Sequence, residues 1–229
     1  MSKFIIPGVL LSVFLYSFSN LKIQENQAPV VKIIAPKNNS IFDQNAPISY
    51  KISVSDKQDG DSKFDEINPK EVLLEVRRVT SKPNKIAQSD AQGLAVFMTS
   101  NCINCHGFNS KSIGPSFYEI NKRYLANKSN TDTLIKRIRE GSSGIWAGKE
   151  KMPSHPELTA AEIKSTVQWI FKNAADPNLN YYIGLEGFFR INTKNKGSYM
   201  LTASYIDHGL KDVEGKRLRG QDAVTIQSN

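Results

Sequence analysis

Apolar and polar residues alternate along the first part of the chain. Ile48, Tyr50, Ile52 and Val54 are separated by polar residues, the period of two that half-buries a strand. Val72, Leu74 and Val76 repeat the pattern, and Val30, Ile33 and Ile34 cluster ahead of Pro36. Turn formers lie between them: Pro36-Lys37-Asn38-Asn39, and the stretch from Asp56 to Asp65 that contains Asp59-Gly60-Asp61. The oxygen-rich set Asp56, Asp59, Asp61, Asp65 and Glu66 is of a kind that holds Ca²⁺, but it lacks the EF-hand spacing; a solvated turn is the plainer reading.

The period changes after residue 88. Leu94, Phe97 and Met98 share one helical face, Leu134, Ile135 and Ile138 another, and Ile163, Val167 and Ile170 a third. Ser89…Gln92, Ser116…Glu119 and Thr159…Glu162 each fit a capping box, and Gly141 stands where the middle helix should stop. Alternation returns in Tyr199, Leu201, Ala203 and Tyr205, with Phe188-Phe189-Arg190-Ile191 before it and Ala223-Val224-Thr225-Ile226 after. Ser81 to Ala87 and Ala175 to Asn180 read as junctions between these textures.

Met1-Ser2-Lys3 precedes an apolar run from Phe4 to Phe18 that ends in small residues at Ser17 and Ser19. One positive charge, a short apolar run and small residues read as a secretory signal peptide over residues 1–19, with an uncleaved anchor as the alternative. The run is short for a bilayer span, which takes about 20 residues. A periplasmic or secreted protein is expected, with no membrane span once the signal is removed.

The 229 residues are 39% hydrophobic and 23% charged, a composition that buries a core. The net charge of +8 is spread evenly, +3 over 88–176 and +2 over each of 21–87 and 177–229. No basic stripe is present, which argues against nucleic acid as a partner.

Both cysteines of the chain lie in Cys102-Ile103-Asn104-Cys105-His106. Two thiols at this spacing form thioethers to the two vinyl groups of one haem, and the adjacent histidine then lies under the iron. A redox-active C-x-x-C pair is the bland alternative. It does not need His106, and no thioredoxin-like βαβ pattern surrounds it. One covalent haem c is therefore expected.

With these residues in view, 88–174 resembles a class I bacterial cytochrome c, the small soluble electron-transfer type. Gly93 and Phe97 stand where that family has a small residue and an aromatic ahead of the haem motif, and Trp169 where its last helix brings an aromatic. Ile113-Gly114-Pro115-Ser116 follows the motif. The resemblance implies that Pro115 offers its carbonyl to Nδ1–H of the proximal ligand His106. Gly141-Ser142-Ser143-Gly144-Ile145-Trp146 and Met152-Pro153 resemble the family's sixth-ligand loop. Met152 is then the axial sulfur, while Arg137 and Trp146 match positions that contact haem propionates. His155 departs from the family's usual asparagine and stands as a competing ligand. Met98 is expected in the helix interface, Met200 in a strand, and His208 at the surface.

The expected fold is multidomain α and β: an all-α class I cytochrome c domain, residues 88–176, inserted in an immunoglobulin-like or PKD-like β-sandwich made of 27–85 and 180–229. A separate N-terminal sandwich with a C-terminal β appendage is the alternative. The combination resembles, more loosely, modules attached to quinoprotein sugar dehydrogenases. Expected partners are redox proteins: a donor dehydrogenase, a terminal oxidase or another cytochrome. An electron carrier rather than an enzyme is expected, because a filled iron leaves no open position for substrate. A haem peroxidase or sensor, and a carbohydrate- or protein-binding module with accessory haem, are the competing readings.

Overall fold

In a computed structural model, residues 25–79, 91–146, 150–191, 196–210 and 217–229 are described. The N-terminal apolar run, the junction Ser81 to Ala87 and Ser89 of the Ser89…Gln92 cap lie outside them.

Two sheets share one core. The first is built on β3 (Pro47–Asp56), which pairs antiparallel with β1 (Val30–Ala35), with the short β4 (Gly60–Asp61) and with β7 (Glu186–Arg190). The second runs β2-β9-β8-β5-β6, with β2 at Ile41–Phe42, β5 at Leu73–Val79, β6 at Leu179–Ile183, β8 at Gly197–Ile206 and β9 at Arg219–Ser228. Strands from before and after the helical segment therefore stand side by side: β3 with β7, and β5 with both β6 and β8.

Alternation decides which face is inside. Ile48, Tyr50, Ile52 and Val54 of β3 turn inward, and Leu74, Val76, Leu201 and Ala203 meet them from the other sheet. Their intervening neighbours in β3 are mostly exposed. Burial of such side chains stabilises the sheet pair by about 1.5–3 kcal/mol each.

Leu73 breaks the half-buried pattern. It points away from the core shared by the two sheets yet is 1% exposed, because the helical segment covers the outer face of the second sheet. Leu73, Tyr181 of β6 and Ile206 of β8 pack there with Phe97, Phe108 and Trp169.

The helices are α1 (Ala91–Thr99), α2 (Cys102–Cys105), α3 (Phe117–Arg123), α4 (Lys128–Glu140) and α5 (Ala160–Asn173). Both described capping boxes form. Ser116 Oγ accepts from the Glu119 N–H at 3.1 Å while Glu119 Oε2 accepts from the Ser116 N–H at 2.8 Å, and Thr159 and Glu162 repeat the exchange. Helix α4 ends at Gly141, φ 80°. Helices α1 and α5 cross at Gly93, where an added Cβ would stand 2.5 Å from the Ser165 carbonyl oxygen. Met98 is buried in this interface, and Met200 lies half-buried in β8.

The acidic stretch is folded onto donors of the chain itself. Asp56 Oδ1 accepts from the N–H groups of Gln58 and Asp59, and Glu66 Oε2 from that of Asp61. Asp59 Oδ2 accepts from Tyr205 Oη at 2.8 Å and from the His208 N–H. His208 is half exposed, but it is not a free surface residue: its two ring nitrogens lie 3.1 Å from Asp59 Oδ1 and 3.2 Å from Glu71 Oε2.

Candidate haem-binding site

The site begins where α1 ends. Asn101, φ 59°, reverses the chain, and α2 follows as a single turn that carries Cys102 and Cys105. His106 caps that turn, its N–H donating to the Cys102 carbonyl at 2.9 Å. The next loop is drawn back onto the motif: the Gly114 N–H donates to the Cys105 carbonyl at 2.8 Å, and the Phe117 N–H to the Gly107 carbonyl at 3.0 Å.

This fold-back fixes the His106 ring. Its Nδ1 lies 2.6 Å from the Pro115 carbonyl oxygen. A carbonyl only accepts, so Nδ1 carries the proton and Nε2 keeps its lone pair. Phe117 stacks on the ring at 5.6 Å, 23° between planes. Gly114 presses against it from another side; a Cβ there would stand 2.7 Å from Cε1. Burial lowers the proton affinity of His106, the Pro115 hydrogen bond partly restores it, and charge on His155 lowers it again. The neutral imidazole is the form that binds a metal.

The thiols are free and half-buried. Burial, opposed by a backbone hydrogen bond, pushes the Cys102 thiol up to about 11; charges on Glu157 and Cys105 act in the same upward direction. A redox-active C-x-x-C needs the reverse, a thiol made acidic by its surroundings. Burial of Cys102 thus works against such an acidic thiol. The turn offers what haem attachment requires: two unpaired sulfurs on one turn and a neutral, oriented imidazole beside them.

Two further groups of predicted residues are placed by α4 and the loops around it. The Arg137 Nη1 donates to Tyr124 Oη, and its guanidinium lies 5.2 Å over the Tyr124 ring. Trp146 meets Tyr124 edge-on at 6.5 Å, and Arg123 lies 4.5 Å over the indole. Arg137 and Trp146 are therefore joined through Tyr124, with a second guanidinium alongside. Arg123 and Tyr124 escaped the sequence reading; a cationic-aromatic pair closing α3 was the available signal.

Met152 is held by its backbone. Its N–H donates to the Ser142 carbonyl at 2.9 Å and its own carbonyl accepts from the Ser142 N–H at 3.1 Å. Gly141 makes this approach possible, since a Cβ there would stand 2.7 Å from the Met152 carbonyl oxygen. Three residues on, the His155 N–H donates to the Ile138 carbonyl at 3.0 Å. Among the described residues no helix is long and apolar enough to cross a membrane.

Comparison with known proteins agrees with this chemistry. The cytochrome c family profile matches residues 91–173. Cytochrome c-551 of Azotobacter vinelandii is 37% identical over 78 residues, covering 34% of this chain and 93% of that protein. Cytochrome c-552 of Hydrogenobacter thermophilus is 38% identical over 69 residues, 30% of this chain and 68% of that protein. The crystal structure of cytochrome c552 from Nitrosomonas europaea aligns at 30% identity with a TM-score of 0.33, covering 34% of this chain and 96% of that one. The family profile and the two sequence relatives identify a class I cytochrome c domain. The chain belongs to the cytochrome c family and binds haem c covalently, with additional β-rich regions on both sides of the family segment.

Proposed function

We propose that this chain is an exported carrier that passes single electrons through one haem c, bound by thioethers to Cys102 and Cys105 and ligated by His106 and Met152. The observation that carries the reading is the 2.6 Å contact between His106 Nδ1 and the Pro115 carbonyl, which frees Nε2 for the iron. The haem, once bound, supplies a reversible one-electron couple, and a histidine–thioether ligand pair raises its potential. The rest is the work of side chains. Arg137, Tyr124 and Trp146 gather donors suited to the haem carboxylates, and Arg123 adds positive charge. Ser142 and Gly141 hold the Met152 backbone in place.

The strand pairings β3–β7 and β5–β6 support a single immunoglobulin-like sandwich, built from 27–85 and 180–229 and interrupted by the cytochrome domain at 88–176. The apolar run at residues 1–19 supports export to the periplasm or beyond, where haem c is attached. A separate periplasmic dehydrogenase is the donor this reading favours, on the looser resemblance of the whole chain to modules of quinoprotein dehydrogenases.

Absorption spectra of ferric and ferrous protein test the ligands. The wild type should show the weak red ferric band of sulfur-to-iron charge transfer, and Met152→Ala should lose it. A wild type without that band would reject Met152. A colourless protein with no haem mass would reject the function itself.

A further inference from the structure

Strand β8 ends beside the haem turn. Its last residue, Ile206, packs into the same apolar cluster as Met98 and Cys102. Asp207, fully buried, fixes the chain just beyond. Its N–H donates to the Leu218 carbonyl at 3.0 Å, and its Oδ1 accepts from the N–H groups of Gly209 and Leu218. The next residue, His208, is thus mounted on an anchored strand end. With Glu71 and Arg217 it lines a cleft shared with Thr99 and Asn101, the end of α1 just ahead of Cys102.

The ring is held by two anions. Nδ1 lies 3.1 Å from Asp59 Oδ1, in the turn after β3, and Nε2 lies 3.2 Å from Glu71 Oε2, in the turn Pro69–Glu71 that leads into β5. Tyr205 Oη of β8 and the His208 N–H both donate to Asp59 Oδ2, which keeps that carboxylate in place. Carboxylates at both nitrogens suit an imidazolium, which donates from each; a neutral ring leaves one of them without a donor. Arg217, ahead of β9, is the cation on this cleft, and the end of α1 brings only neutral side chains to it. The imidazole is half exposed, so it exchanges its proton with solvent.

We propose that His208 is a redox-linked proton site, binding its proton more tightly when the haem is reduced than when it is oxidised. This rests on the reading of Cys102, Cys105 and His106 as the haem anchor. Reduction takes one electron from a redox partner and lowers the charge on iron by one. A less positive neighbour favours the imidazolium, so solvent protonates the bare ring nitrogen, and oxidation returns that proton to solvent. No bond to iron changes. The coupling is reciprocal: loss of the proton leaves the negative charge of Asp59 and Glu71 uncompensated, which favours the ferric haem and lowers its potential.

The test uses the full, haem-loaded chain, with haem content checked by mass and folding by circular dichroism. Nuclear magnetic resonance of labelled imidazoles should show His208 titrating at higher pH in ferrous than in ferric protein, a proton affinity at least about twofold greater. The midpoint potential should fall as pH rises across the same range, and His208→Gln should lose that part of the fall. Glu71→Gln, which removes one of the two anions, should move it to lower pH, a displacement that lost packing alone does not produce. That variant decides the matter if His208→Gln does not fold. His208 titrating alike in both oxidation states, or one pH profile of potential shared by wild type and both variants, would overturn this proposal alone. A chain that carries no haem would overturn it together with the proposed function.

Discussion

Tyr181 and Phe108 stack with ring centroids 4.5 Å apart and 24° between their planes. One belongs to β6 of the second sheet, the other to the loop that follows His106. The same tyrosine lies 5.4 Å from Trp169 of α5. An aromatic from the strand region thus completes the apolar cluster behind the haem motif.

Replacing Tyr181 by alanine should couple those two regions less tightly. Loss of a large half-buried ring with its stacking partner is expected to cost about 2–4 kcal/mol. Urea unfolding followed separately by haem absorbance and by far-ultraviolet circular dichroism should give two transitions where the wild type gives one. Coincident transitions in the variant would refute this dependence.

Gly93→Ala sets two effects against each other. Helix propensity favours alanine by about 1 kcal/mol. The added methyl, however, would stand 2.5 Å from the Ser165 carbonyl oxygen and 2.8 Å from Trp169 Cβ. These are a backbone atom and the rigid root of a buried side chain, so steric cost should win by about 1–3 kcal/mol. A denaturation midpoint equal to or above that of the wild type would contradict the close crossing.

Gly114→Ala should act on the imidazole. The new Cβ would lie 2.7 Å from His106 Cε1 and 3.0 Å from Nδ1, which forces the ring away from Pro115. Haem attachment through the cysteines should persist. The ferric spectrum should shift toward high-spin and the reduction potential should change, both measurable on the purified holoprotein. An unchanged spectrum would mean that the ring does not depend on this contact.

His208 makes stability depend on pH. Burial lowers its pKa, but the Asp59 hydrogen bond and the charges of Asp59 and Glu71 outweigh this, so the folded-state pKa is raised above 6.5. A raised folded pKa gives stability that is complete below the unfolded value and is lost as pH climbs through the folded one. Asp59 and Glu71 supply the negative charge, and Arg217 shares the cleft of about 220 Å³ between this cluster and the end of α1. The side chain is half exposed, so solvent screening holds the effect to about 0.5 kcal/mol. Urea midpoints of wild type should fall more than those of His208→Gln between mildly acidic and mildly alkaline pH; parallel curves would refute the pairing.

Much of this architecture was visible in local sequence. The alternation from Ile48 to Val54 and from Tyr199 to Tyr205 fixed both strands and inner faces, because a period of two has only one amphipathic outcome. Ser116 and Thr159 marked helix starts, since a hydroxyl and a glutamate three residues on satisfy one another without help from the rest of the fold. Leu73 could not be read in the same way. Its burial depends on a helical segment docking over β5, and no neighbour in sequence reports that. The two-residue parallel strand Ile41–Phe42 against β9 was equally silent. At the site, the pentapeptide announced itself by spacing, and Pro115 only by the resemblance to class I cytochromes c. Tyr124 did not, because its role arises where the end of α3 meets Arg137 of α4 and the loop residue Trp146. His208 looked exposed because its partners Asp59 and Glu71 lie over 130 positions away.

Strands β5 and β6 are adjacent, Arg77 opposite Leu179, and Arg77 also pairs with Asp176 at 3.3 Å. Everything between them, the haem turn included, thus hangs from two neighbouring strands spaced by about 4.8 Å. A segment mounted on two such legs cannot swivel as one on a single tether does. Whatever holds the sheets is therefore also coupled to the bearing of the haem turn.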